Sequence, residues 1–293
     1  MVAIQQITTF DFGDGNGPVP AHRHPNGGGW VANTARVDES VFVGPEARVY
    51  GEARVYDMSE VWGNAQVCGR ARVFGRARVF GDAEVYEQSE VWGNAQVCGR
   101  ARVFGEAEVY GQSVVYGQAK VFGNAEVYGE AQVYDKAQVY GEARVFGHSC
   151  IEGNAKVYED ASVYGDAFVS GNAEVFGGAC VFDQSSVGSR SKVHGHVSVF
   201  GSAMIQDDAE VYGESKVGGH AGIYNTAKVY GEAKVYGNAV VRGDARVGGE
   251  SEVYGESEIS GDSVVQDTAV VYNSSVANKT LSKVKSHSKG RGL

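Results

Sequence analysis

The sequence predicts an all-β protein, built as a single-stranded parallel β-helix with three short strands in each turn. Two observations carry this prediction: a residue pattern that recurs every six positions, and a near-absence of leucine. The chain has 293 residues, of which 42 are Gly and only two, Leu281 and Leu293, are Leu. Because Leu is the usual core residue of helices, its scarcity argues against a helical or α/β fold.

The six-residue repeat runs from Val31 to Val271 without an insertion or deletion, which makes 41 hexads. Each position of this series is Val or Ile, and the residue two positions earlier is nearly always Ala or Ser. Residues two apart on a strand point to the same side, so both are predicted to face inward. Two positions after the Val, 36 of the 41 hexads have Gly, Asn or Asp, which suit a backbone corner at positive φ.

Three strands and three corners close a turn of 18 residues, and successive turns stack about 4.8 Å apart. The 41 hexads therefore predict 13–14 turns around an interior of Val and Ala that is too narrow for Leu or aromatic rings. We predict an N-terminal cap over residues 1–30, the β-helix over 31–276 and a basic C-terminal tail over 277–293. A cap is expected because an uncovered strand edge would pair with another molecule.

The repeat resembles that of the hexapeptide-repeat superfamily, as in Ala125-Glu126-Val127-Tyr128-Gly129-Glu130. The resemblance covers about residues 31–276 and implies a left-handed coil. Many members of this superfamily are trimeric acyltransferases, and some are γ-class carbonic anhydrases. The V-Y-G-N-A-x variant is similar to uncharacterised bacterial and phage proteins labelled as transferases. This chain departs from the usual repeat because an aromatic residue follows the Val in 26 of the 41 hexads.

Residues 18 positions apart should stack in columns on the outside of the coil. One corner column is aromatic throughout, and we take it as the candidate interaction surface: Tyr56, Phe74, Trp92, Tyr110, Tyr128, Phe146, Tyr164, Phe182 and Phe200. Three interpretations are open. The rings stack between turns of one chain, or they form an apolar surface that another subunit or partner covers, or they bind glycans through their faces.

The formal net charge of −10 is distributed unevenly. Residues 106–276 have 24 acidic and 11 basic residues, whereas residues 277–293 have five basic residues and no acidic one. The acidic body argues against direct binding to nucleic acid or a membrane surface. The sequence has no apolar run long enough to span a membrane and no signal peptide, so we expect a cytoplasmic protein with four free Cys.

Candidate catalytic residues are few. His194 and His196 flank Gly195, and Glu214 lies one turn away, which makes these three a fallback catalytic group. The acyltransferases of the superfamily have a general-base His near a loop that protrudes from the coil, and the 41 hexads contain no such loop. We expect no metal and no cofactor.

An internal duplication favours a structural role. Ser59–Gly75 and Ser89–Gly105 are identical, and their offset of 30 residues is five hexads. Five is not a multiple of three, so the two copies fall on different faces, where a face-specific active site would not be reproduced. We therefore predict a non-catalytic scaffold or protein-interaction module that self-associates as a dimer or trimer, with another protein as a further partner. The alternatives are an acyltransferase-like enzyme with its site between subunits, and an acidic rod that mimics nucleic acid or inhibits a basic partner.

Overall fold

The computed structural model describes residues 8–283, which form strands, turns and bends and contain no helix. The chain divides into two compact units, Met1–Asp160 and Ala161–Leu293. Both units are parallel β-solenoids with three strands in each turn, and together they contain about 14 turns. The predicted all-β fold and the predicted number of turns are confirmed.

The first unit has three faces, each named after the repeat Val of its first solenoid strand. The Val31 face contains β3 (Trp30–Ala32), β6 (Arg48–Val49), β9 (Gln66–Val67), β12 (Glu84–Val85), β15 (Arg102–Val103), β18 (Lys120–Val121), β21 (Gln138–Val139) and β24 (Lys156–Val157). The Val37 face contains β4 (Arg36–Val37), β7 (Arg54–Val55), β10 (Arg72–Val73), β13 (Glu90–Val91), β16 (Glu108–Val109), β19 (Glu126–Val127) and β22 (Arg144–Val145). The Val43 face contains β5 (Phe42–Val43), β8 (Glu60–Gly63), β11 (Arg78–Gly81), β14 (Gln96–Val97), β17 (Val114–Val115), β20 (Gln132–Val133) and β23 (Cys150–Ile151).

The second unit also has three faces, named in the same way. The Val163 face contains β25 (Ser162–Val163), β28 (Cys180–Val181), β31 (Ser198–Val199), β34 (Lys216–Val217), β37 (Lys234–Val235), β40 (Glu252–Tyr254) and β43 (Val270–Tyr272). The Val169 face contains β26 (Phe168–Val169), β29 (Ser186–Val187), β32 (Met204–Ile205), β35 (Gly222–Ile223), β38 (Val240–Val241), β41 (Glu258–Ser260) and β44 (Ser275–Ala277). The Val175 face contains β27 (Glu174–Val175), β30 (Lys192–Val193), β33 (Glu210–Val211), β36 (Lys228–Val229), β39 (Arg246–Val247), β42 (Val264–Asp267) and β45 (Thr280–Lys283).

The N-terminal strands form antiparallel pairs, unlike the parallel strands of the solenoid. Strand β1 (Thr9–Phe10) pairs antiparallel with β2 (Val19–Arg23), and β2 pairs antiparallel with β3. The ring of Phe10 stacks on Trp30 at 4.4 Å, and Phe12 stacks on Tyr50 at 4.9 Å. The hairpin therefore covers the first edge of the Val31 face with strand pairing and ring contacts. Residues 1–7 of the predicted cap lie outside the described residues.

The strand register follows the hexad. Arg36 pairs with Arg54 and Val37 with Val55, so neighbouring strands are 18 residues apart, as three hexads per turn require. The last turn is shorter, because Ile259 pairs with Val276 and Val265 with Leu281. The interval between inward residues thus falls from six to five at Val276 and again at Leu281. Strand pairing continues past residue 276 as far as Lys283. Residues 284–293 of the predicted tail lie outside the described residues.

The core consists of the repeated Val and Ala side chains, which are fully buried except near the first and last turns. The four Ile are the largest of the fully buried side chains. Where Ser replaces Ala, most hydroxyls find a local partner, as Ser113 Oγ donates to the carbonyl oxygen of Tyr110 at 2.8 Å, whereas Ser251 Oγ has no partner among the described residues. The predicted inward orientation of both repeat positions is confirmed.

The corners have positive φ, as the Gly, Asn and Asp positions predict. Gly occupies most of them, but Asp57 and Asp183 adopt φ values of 61° and 59°. Each of these carboxylates accepts a hydrogen bond from the backbone N–H at the corresponding corner of the next turn, Gly75 and Gly201, at 2.9 Å. An acidic corner residue therefore compensates for its strained conformation with a bond that Gly cannot make.

Candidate interaction surface

The predicted aromatic column forms ladders of parallel rings in each unit. In the first unit the ring centroids of Phe74 and Trp92 are 5.8 Å apart, those of Trp92 and Tyr110 are 4.4 Å apart, and Tyr128 and Phe146 continue the stack at 4.8 Å spacing. The rings lie within 5° of parallel. The ladder spacing is set by the distance between turns, because each ring occupies the same corner of its turn.

In the second unit the same kind of ladder is shorter. Tyr164 stacks on Phe182 at 5.0 Å, and Phe182 stacks on Phe200 at 5.7 Å. At the next turn the corresponding residue is Gly218, and a Cβ on this residue would lie only 2.3 Å from the Phe200 ring. The Phe200 ring therefore leans over Gly218, which ends the ladder at that turn.

Stacking leaves the ladder rings half-buried, with their faces covered by neighbouring rings and their edges exposed. This geometry supports the interpretation of stacking within the chain, since aromatic pairs of this kind stabilise a fold by about 0.5–1.5 kcal/mol each. A glycan would need an exposed ring face, which the interior of a ladder does not offer. The use of this column as a surface between subunits stays a prediction.

The histidine group predicted from the sequence is not assembled in the described residues. His194 lies directly after the repeat Val, where most hexads have an aromatic residue. Its ring stacks between those of Phe176 and Tyr212, with centroid distances of 4.6 and 5.4 Å. Its Nε2 lies 3.2 Å from Glu210 Oε1. His196 and Glu214 are exposed at a corner, and no hydrogen bond or ion pair within residues 8–283 joins either of them to His194.

Glu210 has two basic neighbours. Its second carboxylate oxygen accepts a hydrogen bond from Lys228 Nζ at 2.7 Å, and this bond, with that from His194, holds the pKa of Glu210 below its ordinary value. A carboxylate with a lowered pKa in the folded state stabilises the fold above its unfolded pKa and loses this contribution as pH falls. The arrangement is thus an acid-sensitive ion pair between turns. Among the described residues no cluster of three His, Cys, Asp or Glu could hold a metal ion.

Replacing Glu210 by Gln tests this ion pair. We expect the variant to be less stable than the wild type by up to about 1 kcal/mol at pH 7, since exposed pairs contribute little. The difference should vanish as pH falls through the lowered folded-state pKa of Glu210, because the wild-type carboxylate then becomes protonated. Urea denaturation at several pH values measures it. Glu214→Gln, at an exposed corner, is the control and should differ from the wild type by less than about 0.5 kcal/mol throughout.

The four cysteines are free and poorly suited to nucleophilic catalysis. Burial raises the pKa of Cys68, Cys98, Cys150 and Cys180 above the ordinary thiol value. The Sγ atom of Cys150 lies within hydrogen-bond distance of the Tyr134 hydroxyl, at 3.3 Å. Because the thiolate is the nucleophile, a raised pKa lowers reactivity near neutral pH.

An open groove of about 640 Å³ follows one corner of the first unit. Its floor is the corner backbone, and its walls carry the polar side chains Asp82, Arg100, Gln118, Lys136 and Asn154. Asp82 and Arg100 face each other across one turn at 3.7 Å. No histidine or cysteine lines this groove, so the general-base His of the superfamily's acyltransferases has no counterpart there.

Comparison with known families agrees with the geometry. The model of the YdcK beta solenoid repeat matches residues 65–81 and 95–117, segments that overlap the two copies of the duplicated stretch. No curated protein matches the chain. The fold and this match together define a β-solenoid repeat protein. In addition, none of the described residues form a helix that could cross a membrane.

Proposed function

We propose that this protein is a non-catalytic β-solenoid scaffold that associates with itself and presents its faces to a protein partner. One observation carries the proposal: aromatic rings, His194 and many charged side chains are engaged by side chains one turn away. Rings stack on rings, thiols are held in the surface with raised pKa values, and His194 serves as one ring of a ladder.

Charged side chains follow the same rule. Glu84 pairs with Arg102 at 3.0 Å, and Lys234 pairs with Glu252 at 2.9 Å, each pair bridging one turn. An active site needs polar groups that converge on a substrate rather than on one another. The regular use of these groups between turns therefore favours a scaffold over an enzyme.

The proposal includes finer points that the sequence predicts. We propose a left-handed coil of the hexapeptide-repeat type and a cytoplasmic location, which suits the four free thiols. Self-association is supported by the flat sheet faces, which offer repeated side chains at a fixed spacing of about 4.8 Å.

Two measurements on the full chain test the function. Sedimentation equilibrium over a hundredfold range of concentration should show a concentration-dependent dimer or trimer. Calorimetric titration with acetyl-CoA to millimolar concentration should release no heat. A strictly monomeric chain would contradict the scaffold with self-association, and saturable heat would favour the acyltransferase alternative instead.

A further inference from the structure

The Val37 face of the first unit sorts its outward charges into two blocks. Its outward side chains, one per turn, are Arg36, Arg54 and Arg72, followed by Glu90, Glu108 and Glu126, with Arg144 on the turn after them. Parallel pairing places each of these residues directly beside the next, 18 positions along the chain. Three positive turns are therefore followed by three negative turns on one flat face.

This order is unfavourable within a single chain. Arg54 has an arginine on either side, and Glu108 lies between Glu90 and Glu126, although like charges directly opposite one another on neighbouring strands are destabilising. Opposite charges meet only at the ends of the acidic block, where Arg72 Nη1 lies 2.5 Å from Glu90 Oε1 and Arg144 Nε lies 3.8 Å from Glu126 Oε1. Burial, together with the two neighbouring glutamates, raises the pKa of Glu108.

On the other faces of the same protein, the outward strand residues place at most two like charges on successive turns. On the Val175 face of the second unit the outward residues alternate in sign over four turns, Glu174, Lys192, Glu210 and Lys228, before Arg246 follows Lys228. Lys192 lies 3.8 Å from Glu174, and Lys228 lies 2.7 Å from Glu210. The repeat therefore accommodates alternating charges, and the blocks on the Val37 face call for a different partner.

A second copy of the chain, turned end for end, presents the same blocks in the opposite order. Both copies have the same spacing of about 4.8 Å between turns, so all three turns of each block come into register at once. A two-fold axis in the plane of contact, between the turns of Arg72 and Glu90, would place Arg54 opposite Glu108 of the partner subunit. The same axis would place Arg36 opposite Glu126 of the partner subunit.

We propose that the Val37 face of the first unit is the contact between two antiparallel copies of this chain. The inference rests on the proposed self-association and assigns it to one face and one symmetry. The contact is isologous, because each copy contributes the same arginine and glutamate blocks. The aromatic column that contains Phe74 and Trp92 borders this face, so the ring edges would lie beside the charge pairs.

The size of the face and the kind of contact set the expected strength. Six turns span about 24 Å between the first and last charged residues. The arginines are exposed, so the ion pairs across the contact would be screened by salt and individually weak. We expect a dimer that forms at micromolar or higher concentration in low salt and dissociates as salt is added.

Charge reversal on the full chain tests the proposal. Arg54→Glu and Glu108→Arg alone should each weaken dimerisation by about tenfold or more, because each places like charges opposite one another twice. An equimolar mixture of the two variants should dimerise again, since every reversed charge then meets its opposite. Arg102→Glu, on the Val31 face, is the matched control and should leave dimerisation unchanged.

Each outcome is informative. Within one chain both reversals relieve a like-charge contact, so neither variant should unfold at a lower temperature than the wild type at low concentration. A wild-type dimer that neither reversal weakens, or a mixture that fails to restore association, would overturn this contact while leaving self-association standing. A chain that is monomeric at every concentration would overturn both.

Discussion

Replacing Ala131 by Leu should lower the free energy of unfolding by about 3 kcal/mol. Ala131 is fully buried, and the core around its position is lined by Val, Ala and Ser. Because the backbone of each strand is tied by hydrogen bonds to the turns on both sides, the coil cannot widen at one turn without disturbing its neighbours. Overpacking of a close-packed interior costs about 1–3 kcal/mol, and the narrow coil should place this variant at the upper end.

Two matched variants separate overpacking from other effects of the change. Gln132→Leu introduces the same side chain one residue later, where it points outward, and should change stability by less than about 0.5 kcal/mol. Ala131→Ser should also be mild, because Ser113 and Ser149 occupy the same position on the neighbouring turns. Urea denaturation measures all three, and equal destabilisation by the two Leu variants would contradict a narrow core.

A second large effect is expected at a corner. Gly111 has φ +75°, and a Cβ there would lie 2.9 Å from the backbone nitrogen of Gly129 and 3.0 Å from its carbonyl oxygen. Gly111→Ala should therefore lose about 2 kcal/mol, from the left-handed conformation and from contact with backbone atoms that cannot move aside. The loss should appear as a lower midpoint of urea denaturation.

Gly111→Asp is the informative companion. The Asp57 carboxylate accepts the N–H of the next corner, and an Asp at 111 would be placed to accept the N–H of Gly129 in the same way. We expect this variant to lose less than half as much stability as Gly111→Ala, although its side chain is larger. An Asp variant that is less stable than the Ala variant would show that steric contact alone governs the corner.

Much of the fold follows from the hexad. A Val and an Ala two positions apart must share one side of a strand, and the six-residue period with corner residues fixes where each strand ends. The pairing of Val37 with Val55 confirms three hexads per turn. The shorter last turn does not follow from the hexad, because Val276 and Leu281 come after Val271 at intervals of five residues.

The candidate surfaces were predicted less completely. The aromatic column could be listed from residues 18 apart, but the burial of its ring faces depends on side-chain rotamers. His194 was grouped with His196 by proximity in sequence, whereas the structure stacks it with Phe176 and Tyr212. The charge blocks on the Val37 face were missed because charge was summed over segments, and the same 18-residue steps applied to outward residues would have revealed them.

The sequence by itself determined the class of fold, the inward residues and the positions of the corners, because each depends on a local pattern repeated every six residues. Only the tertiary structure decided how the antiparallel hairpin covers β3, which ring faces are hidden and which charges have opposite neighbours. Those features depend on contacts between residues distant in sequence, where the direction of each side chain, rather than its position in the repeat, determines what it touches.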